Sequence, residues 1–277
     1  MNDKTARQAT LPKGARLPIN RCNLPAVILG SLTFQYHPAP LVIDGVRELH
    51  HDLFLRLDRI DETTLRAQCF IDYMVVHFRL ESLADAGFDQ HLRHDRSRAD
   101  YIRTLRGWLF NADSREGAVL KGWVESRFGL LARYHNGPIR DYSEENYRRY
   151  MHACAAGLYN TNALESQLDL LYTFCQYELC KRHPDLSHLN LYRGVNRLDC
   201  HEVINKTDQG SLIAILNNLN SFTDSQHRAD EFGDYILETN VPLPKIFFFT
   251  NLLPNIPKSE SEYAVIGGVY EIRIWKS

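Results

Sequence analysis

Apolar positions recur at helical spacing through the middle of the chain and give way to short β-prone runs toward its end. From about Val46 to Lys181 the period is close to that of an α-helix, and it predicts helices near 46–60, 62–82, 97–111, 115–133, 143–158 and 161–182. Leu164, Leu168, Leu171, Cys175 and Leu179 form one stripe at i, i+4, i+7 spacing, with Thr161 or Asn162 as N-cap. The stretch LRAQCFIDYMVVHFRL, residues 65–80, is apolar nearly all round, which predicts a place at the centre of the helical region. Beyond KRHPDLS, residues 181–187, the β-branched and aromatic runs LNLYRGV, LIAILNNLNSFT, YILETNV, KIFFFTN, EYAVIGG and VYEIRIW alternate with turn residues and read as strands. One helix interrupts them: DSQHRADEFG, with Asp224 or Ser225 to cap its start and Gly233 to close it.

The pattern divides the chain into three. Pro12, Pro18, Pro25, Pro38 and Pro40 punctuate an irregular arm over 1–45, helices fill 46–185, and a β-rich region with local antiparallel connections covers 186–277. The fold class is therefore α+β, with the chemistry expected in the β part. No internal repeat is visible.

Composition narrows the function classes. With 277 residues, 44% hydrophobic and 24% charged, the chain is long enough to bury a substantial core. A formal net charge of -2 gives no basic field for sequence-independent nucleic-acid binding. The run Arg93, Arg96, Arg98, Arg103 and Arg106 reads as a solvated helix face, with docking of an acidic partner as the alternative. No apolar run reaches the roughly 18 residues that span a bilayer, so no membrane insertion is expected and a cytoplasmic location is the default. Six cysteines without CxxC spacing predict buried thiols rather than a disulfide scaffold. His50-His51 and Cys200-His201-Glu202 are sequence neighbours whose side chains diverge, so no metal site is expected.

Candidate chemistry sits in three places. In SESEYAVIGG, a strand geometry would put Glu260 and Glu262 on one side about 7 Å apart, with Ser261 opposite. Like charges at that distance repel, so either both are solvated in an exposed loop or they serve a reaction that needs paired carboxylates, such as glycosyl transfer through a cationic sugar. LYRGV ends an apolar strand on Arg193, able to hold a phosphate, followed by Gly194, whose missing side chain would let a ligand approach the backbone. NSFTDS sets Ser221 and Thr223 on one strand face just before the capped helix.

In order, a strand-borne Arg, a Ser-x-Thr and a Glu-x-Glu resemble the Arg-Ser-Glu class of mono-ADP-ribosyltransferases, over roughly Leu189 to Trp275. The length, the helical region, LNLYRGVNRL, SFTDSQHRADEFGDYILET and ESEYAVIGG further resemble the dinitrogenase reductase ADP-ribosyltransferases within that class. The resemblance implies an NAD-binding domain of two packed, mainly antiparallel sheets. It implies that Arg193 and Gly194 hold NAD, with Thr223 in support, that Phe232 or Phe222 stacks on the nicotinamide, core packing being the alternative for each, and that Ser221 orders the site. Glu262 would contact the nicotinamide ribose and stabilise the developing cation, while Glu260 would position the acceptor arginine and take its proton. Implied partners are dinitrogenase reductase as acceptor, whose modification inactivates nitrogenase and so regulates nitrogen fixation, and a PII signalling protein as regulator. Two other readings stay open: an NAD glycohydrolase on the same scaffold, and a catalytically silent nucleotide-binding interaction protein. The middle motif, Ser221-Phe222-Thr223, departs from the common Ser-Thr-Ser form and leaves open how Phe222 is accommodated.

Overall fold

The change of texture near residue 187 is the boundary between helices and sheet. In the computed structural model, which describes residues 17, 19–80, 99–141, 143–158, 162–198, 202–254, 256 and 261–276, the helical part contains α3 (Val46–Leu49), α4 (His51–Leu57), α5 (Thr63–Phe78), α6 (Tyr101–Phe110), α7 (Arg115–Phe128), α8 (Glu145–Gly157) and α9 (Ala163–Arg182). The stretch expected as an irregular arm carries two short helices, α1 (Ala26–Leu29) and α2 (Leu32–Tyr36). The strands are β1 (His188–Val195), β2 (Glu202–Lys206), β3 (Leu212–Thr223), β4 (Tyr235–Pro242), β5 (Ile246–Phe249) and β6 (Glu262–Lys276), with α10 (Gln226–Asp230) between β3 and β4. No helix among the described residues is long and apolar enough to cross a membrane.

The stripe Leu164, Leu168, Leu171, Cys175 and Leu179 is buried along α9 as its spacing requires. Asn162 is the N-cap position of α9 but makes no side-chain cap bond, and Thr161 lies outside the described residues. The expectation for residues 65–80 is corrected. On α5 Phe70, Ile71 and Met74 are buried while Leu65 and Val76 face solvent, so α5 flanks the core and α7 and α9 occupy its middle. Buried Gln167 of α9 holds the start of α6, accepting from Tyr101 N at 3.0 Å and donating to Ala99 O at 2.9 Å. Trp123 of α7 meets Phe247 of β5 with ring centroids 4.8 Å apart, which welds helices to sheet. Gln35 of α2 ties the N-terminal stretch to β4 and β6, donating to Thr239 Oγ1 at 3.0 Å and accepting from Glu271 N at 2.7 Å.

The strands hydrogen-bond into one six-stranded sheet in the order β2-β3-β1-β4-β6-β5, with an additional β3–β6 pairing. Every registered pair is antiparallel. The two packed, mainly antiparallel sheets expected are linked here, because the long β6 pairs with β3 up to Ile272 and with β4 from Arg273 onward. EYAVIGG and VYEIRIW are therefore one strand. Its glycines serve a register shift rather than a turn: a Cβ on Gly267 would lie 1.7 Å from Asn217 O, and Gly268 has φ of 127°. The cysteine expectation holds for Cys22 and Cys175, which are buried; Cys69 and Cys154 are partly buried, Cys180 is exposed, and Cys200 lies outside the described residues.

Beside this sheet lies a buried amine with a testable consequence. Lys245 donates to Gly267 O at 2.6 Å and faces the rings of Phe34 and Tyr270, and burial pulls its amine from an ordinary 10.5 down to about 7. Between those values the unfolded chain holds a proton that the folded chain does not, so stability rises with pH from about 7 to 10.5. Lys245→Met is expected to raise Tm at pH 7, by ~2–4 °C for each kcal/mol gained, and to flatten that rise. Thermal melts across pH 6–11 check it; an unchanged pH slope would overturn it.

Candidate active site

Three strand ends meet where β1, β3 and β6 pair. Tyr192 is opposite Thr223 in the β1–β3 ladder, and Thr223 is opposite Glu262 in the β3–β6 ladder. Ser221 is opposite Ala264, two residues along, so Ser221, Thr223, Ala264 and Glu262 share a face. Ser221 Oγ donates to Glu262 Oε1 at 2.5 Å, and Arg193 Nη1 donates to the Ser221 carbonyl at 2.7 Å. Residues 193, 221 and 262 thus form one hydrogen-bonded chain. Thr223 is buried and its Oγ1 accepts from Ser225 N at 3.2 Å, tying the strand end to the start of α10, where Ser225 is the cap.

The electrostatics of this corner are those of cations taken out of water. Burial pulls the Arg193 guanidinium below its ordinary value, and the carboxylates of Glu262 and Asp113 act in the opposite sense. Arg193 stays charged at neutral pH, because a free guanidinium titrates above ~12. Its Nε is buried and meets no hydrogen-bond partner among the described residues, so the corner holds a donor that fits a phosphate or ribose oxygen. Next to it, Lys121 Nζ contacts Asp113 Oδ1 at 2.7 Å and His135 Nδ1 at 3.3 Å. Burial lowers the Lys121 amine, Asp113 opposes that, and Arg193 adds to it. Burial, then Lys121, pushes His135 down to about 4, so the ring is neutral at pH 7 and its Nδ1 can accept from the lysine.

The residue that sequence reasoning missed is Trp108. It lies on α6, 2% exposed, and its indole Nε1 donates to Glu262 Oε1 at 2.8 Å. A tryptophan on the apolar face of a helix carries no signal beyond core packing, and the partner is 154 positions away. The helical region, expected to carry no catalytic constellation, reaches the candidate carboxylate through this one contact.

Other expectations fare differently. β6 begins at Glu262, and Ser261 before it has φ of 45°, in the left-handed region. Strand alternation therefore does not run back through Ser261, and the argument that put Glu260 on the face of Glu262 fails; Glu260 itself lies outside the described residues. At Gly194 the space of the missing side chain is occupied by the protein: a Cβ there would be 2.0 Å from Ala229 O and 3.0 Å from Phe232 Cβ, so the glycine admits the α10 turn. Phe232 is 53% exposed beside that turn, and Phe222 is a core residue on the opposite face of β3 from Ser221. Tyr263 points away from the Glu262 face, as alternation requires, with its ring stacked on Phe249 and its hydroxyl donating to Asp224 at 3.3 Å. Tyr192 accepts from Asn190 Nδ2 at 2.9 Å.

Among the described residues no group of three or more His, Cys, Asp or Glu side chains lies together as a metal site. A cavity of about 740 Å³ opens between α2 and the β1, β4 and β6 strands, lined by Tyr36, His188, Glu238 and Glu271 among others, and contains none of the Arg193, Ser221 and Glu262 chain.

Sequence kinship gives the chain its class: it is related to transferases of ADP-ribose. A family model described as "Dinitrogenase reductase ADP-ribosyltransferase (DRAT)" matches residues 19–274, and the chain belongs to that family. It is 39% identical over 257 residues, 92% of this chain and 93% of the relative, to NAD(+)--dinitrogen-reductase ADP-D-ribosyltransferase of Rhodospirillum rubrum. No solved structure matches significantly.

Proposed function

We infer that the chain transfers ADP-ribose from NAD to an arginine of dinitrogenase reductase, releasing nicotinamide and inactivating nitrogenase. One observation carries the reading: the hydrogen-bonded chain from Arg193 through Ser221 to Glu262, three residue types of the transferase motif joined on adjacent strands. Family membership supports the donor and the acceptor.

In this reading each side chain has a task. Arg193 holds the NAD phosphates or adjoining ribose, its unpartnered Nε supplying the donor that such an oxygen needs. Gly194 offers backbone to the nicotinamide amide, and exposed Phe232 covers the nicotinamide ring. Ser221, with Thr223 beside it, fixes the carboxylate of Glu262, which contacts the ribose and stabilises positive charge as the bond to nicotinamide lengthens. Glu260 attracts the acceptor guanidinium and takes its proton, a step the acceptor requires because a protonated guanidinium is not a nucleophile. Helices over 46–185 brace the catalytic region 186–277, and a PII signalling protein is the regulator this reading assigns.

The test is incubation with labelled NAD and purified dinitrogenase reductase, following label in protein and free nicotinamide separately. Label on one acceptor arginine is expected. Glu260→Gln is expected to lower transfer about 10²–10⁴-fold, the usual worth of a positioned proton acceptor, while nicotinamide release persists. Nicotinamide release with unlabelled acceptor for the unaltered chain would instead make it a glycohydrolase. A Glu260→Gln variant that transfers normally would remove Glu260 from the mechanism.

A further inference from the structure

The contact between Trp108 and Glu262 crosses from the helical region into the strand corner and belongs to no sequence motif for the reaction. Its geometry is built by several independent restraints. Asp100 caps α6, its Oδ1 accepting from Ile102 N at 2.9 Å, and Gln167 clamps the same helix start. At the other end the α6–α7 turn is tight: a Cβ on Gly107 would meet Glu116 Cγ at 2.5 Å, and one on Gly117 would meet Ala112 O at 2.2 Å. Ser114 donates to Gly107 O at 3.3 Å and caps α7 by accepting from Gly117 N at 3.0 Å. The indole between these ends is buried, and Lys121 Nζ lies 6.0 Å from its ring centroid, held there by Asp113 and His135. A cation over the ring face draws electron density from the indole and makes its N–H a better donor.

We propose that Trp108 is a positioning residue for Glu262, by which the helical region sets the geometry of the catalytic carboxylate. Two donors from different parts of the chain converge on Oε1, Ser221 Oγ at 2.5 Å and Trp108 Nε1 at 2.8 Å. A donor to a carboxylate oxygen prefers the plane of the group, so two donors on Oε1 favour one orientation of that plane and hence one place for the other oxygen. Catalysis by a fixed anion depends on that placement, since the charge must already be in position when the sugar cation develops. Lys121, Asp113 and His135 act one step further out, by holding the indole.

This inference rests on the reading of Glu262 as the catalytic glutamate, and the experiment separates the two. Nicotinamide release is measured for the full chain, for Trp108→Phe and for Glu262→Gln, with NAD varied and Tm recorded. Trp108→Phe is expected to lower kcat roughly ten- to a hundredfold with KM for NAD changed less than about twofold. Combined with Ser221→Ala it should cost less than the product of the single effects, because both donors serve one oxygen. The chain has three tryptophans. Trp123 and Trp275 donate to Asp169 and Glu238, so in an indole ¹⁵N–¹H spectrum Glu262→Gln should move the Trp108 signal and leave the other two in place. If Trp108→Phe does not fold, benzothienylalanine at position 108 keeps the bicyclic shape and removes only the N–H. Full kcat per folded molecule in either variant, with Glu262→Gln inactive, overturns the positioning role and leaves the catalytic reading standing. Full activity in Glu262→Gln overturns the catalytic reading and this inference with it, whatever the indole signal does.

Discussion

Glu262→Gln is expected to abolish measurable NAD cleavage, a loss of at least ~10²–10³-fold in kcat, while Tm stays within a few degrees of the unaltered chain. The separation follows from what the substitution keeps and what it removes. A glutamine carbonyl oxygen can accept from Ser221 Oγ and Trp108 Nε1 as Glu262 Oε1 does, so the buried strand start keeps both donors paired. The negative charge is lost. In a water-poor corner beside Arg193, that charge is the one the reaction would use, since positive charge grows on the ribose as nicotinamide departs. Ser221→Ala, by contrast, removes one donor and leaves the charge, so its effect should be the smaller. Nicotinamide release and thermal melts on the same preparations decide it. A Glu262→Gln variant that cleaves NAD normally would remove Glu262 from the mechanism; one that fails to fold would show that the carboxylate is structural.

Arg193, Ser221 and Glu262 stand out as candidates in the sequence through their order along the chain, which resembles the transferase motif; each also sits at an end of a β-prone run, where alternation says which neighbours share a face. Their pairing across β1, β3 and β6 could not be read, since register between strands far apart in sequence is set by packing and by the shift at Gly267–Gly268. The same glycines made one strand read as two. β2 was missed for the opposite reason: all five of its residues are exposed, so no apolar alternation marks it. The helices of the middle region follow from their period because each has a buried face, but the expected 46–60 helix is broken into α3 and α4 at His50, that over 115–133 stops at Phe128 before the left-handed Gly129, and α5 is less central than its composition suggests. Trp108 lay beyond reach altogether. What makes it more than a core residue is a single N–H aimed at a carboxylate in another layer, and no pattern along α6 records that direction. Glu260 marks the converse limit, for the alternation assumed around it stops at the left-handed Ser261.

Glu178→Ala should produce the largest loss of stability, about 3–5 kcal/mol, read as a fall in Tm on the order of 10 °C. Glu178 is fully buried on α9 and holds Arg66 of α5 through two contacts, Nε to Oε1 at 2.5 Å and Nη2 to Oε2 at 3.1 Å. The same carboxylate receives Arg182 Nε at 3.0 Å. Removing it leaves Arg66, itself buried and held above its ordinary value mainly by this hydrogen bond, with the Ile60 and Asp61 carbonyls and the Thr63 hydroxyl as its remaining hydrogen-bond partners among the described residues. The cost is that of an unpaired buried charge, so the double substitution Arg66→Met with Glu178→Leu should recover most of it. Arg182 carries the effect toward the site. Its Nη1 donates to Asn251 O at 3.2 Å and its guanidinium lies 5.0 Å from the Phe249 ring centroid, at the end of the strand that pairs with the start of β6. Loss of Glu178 therefore loosens the hook between α9 and β5 but leaves Ser221 and Trp108 on Glu262. Below its melting range the variant should retain kcat within about tenfold, whereas Glu262→Gln loses kcat and keeps its Tm. A Glu178→Ala chain with unchanged Tm would mean that water reaches Arg66 and that the α5–α9 pair is not a dry contact.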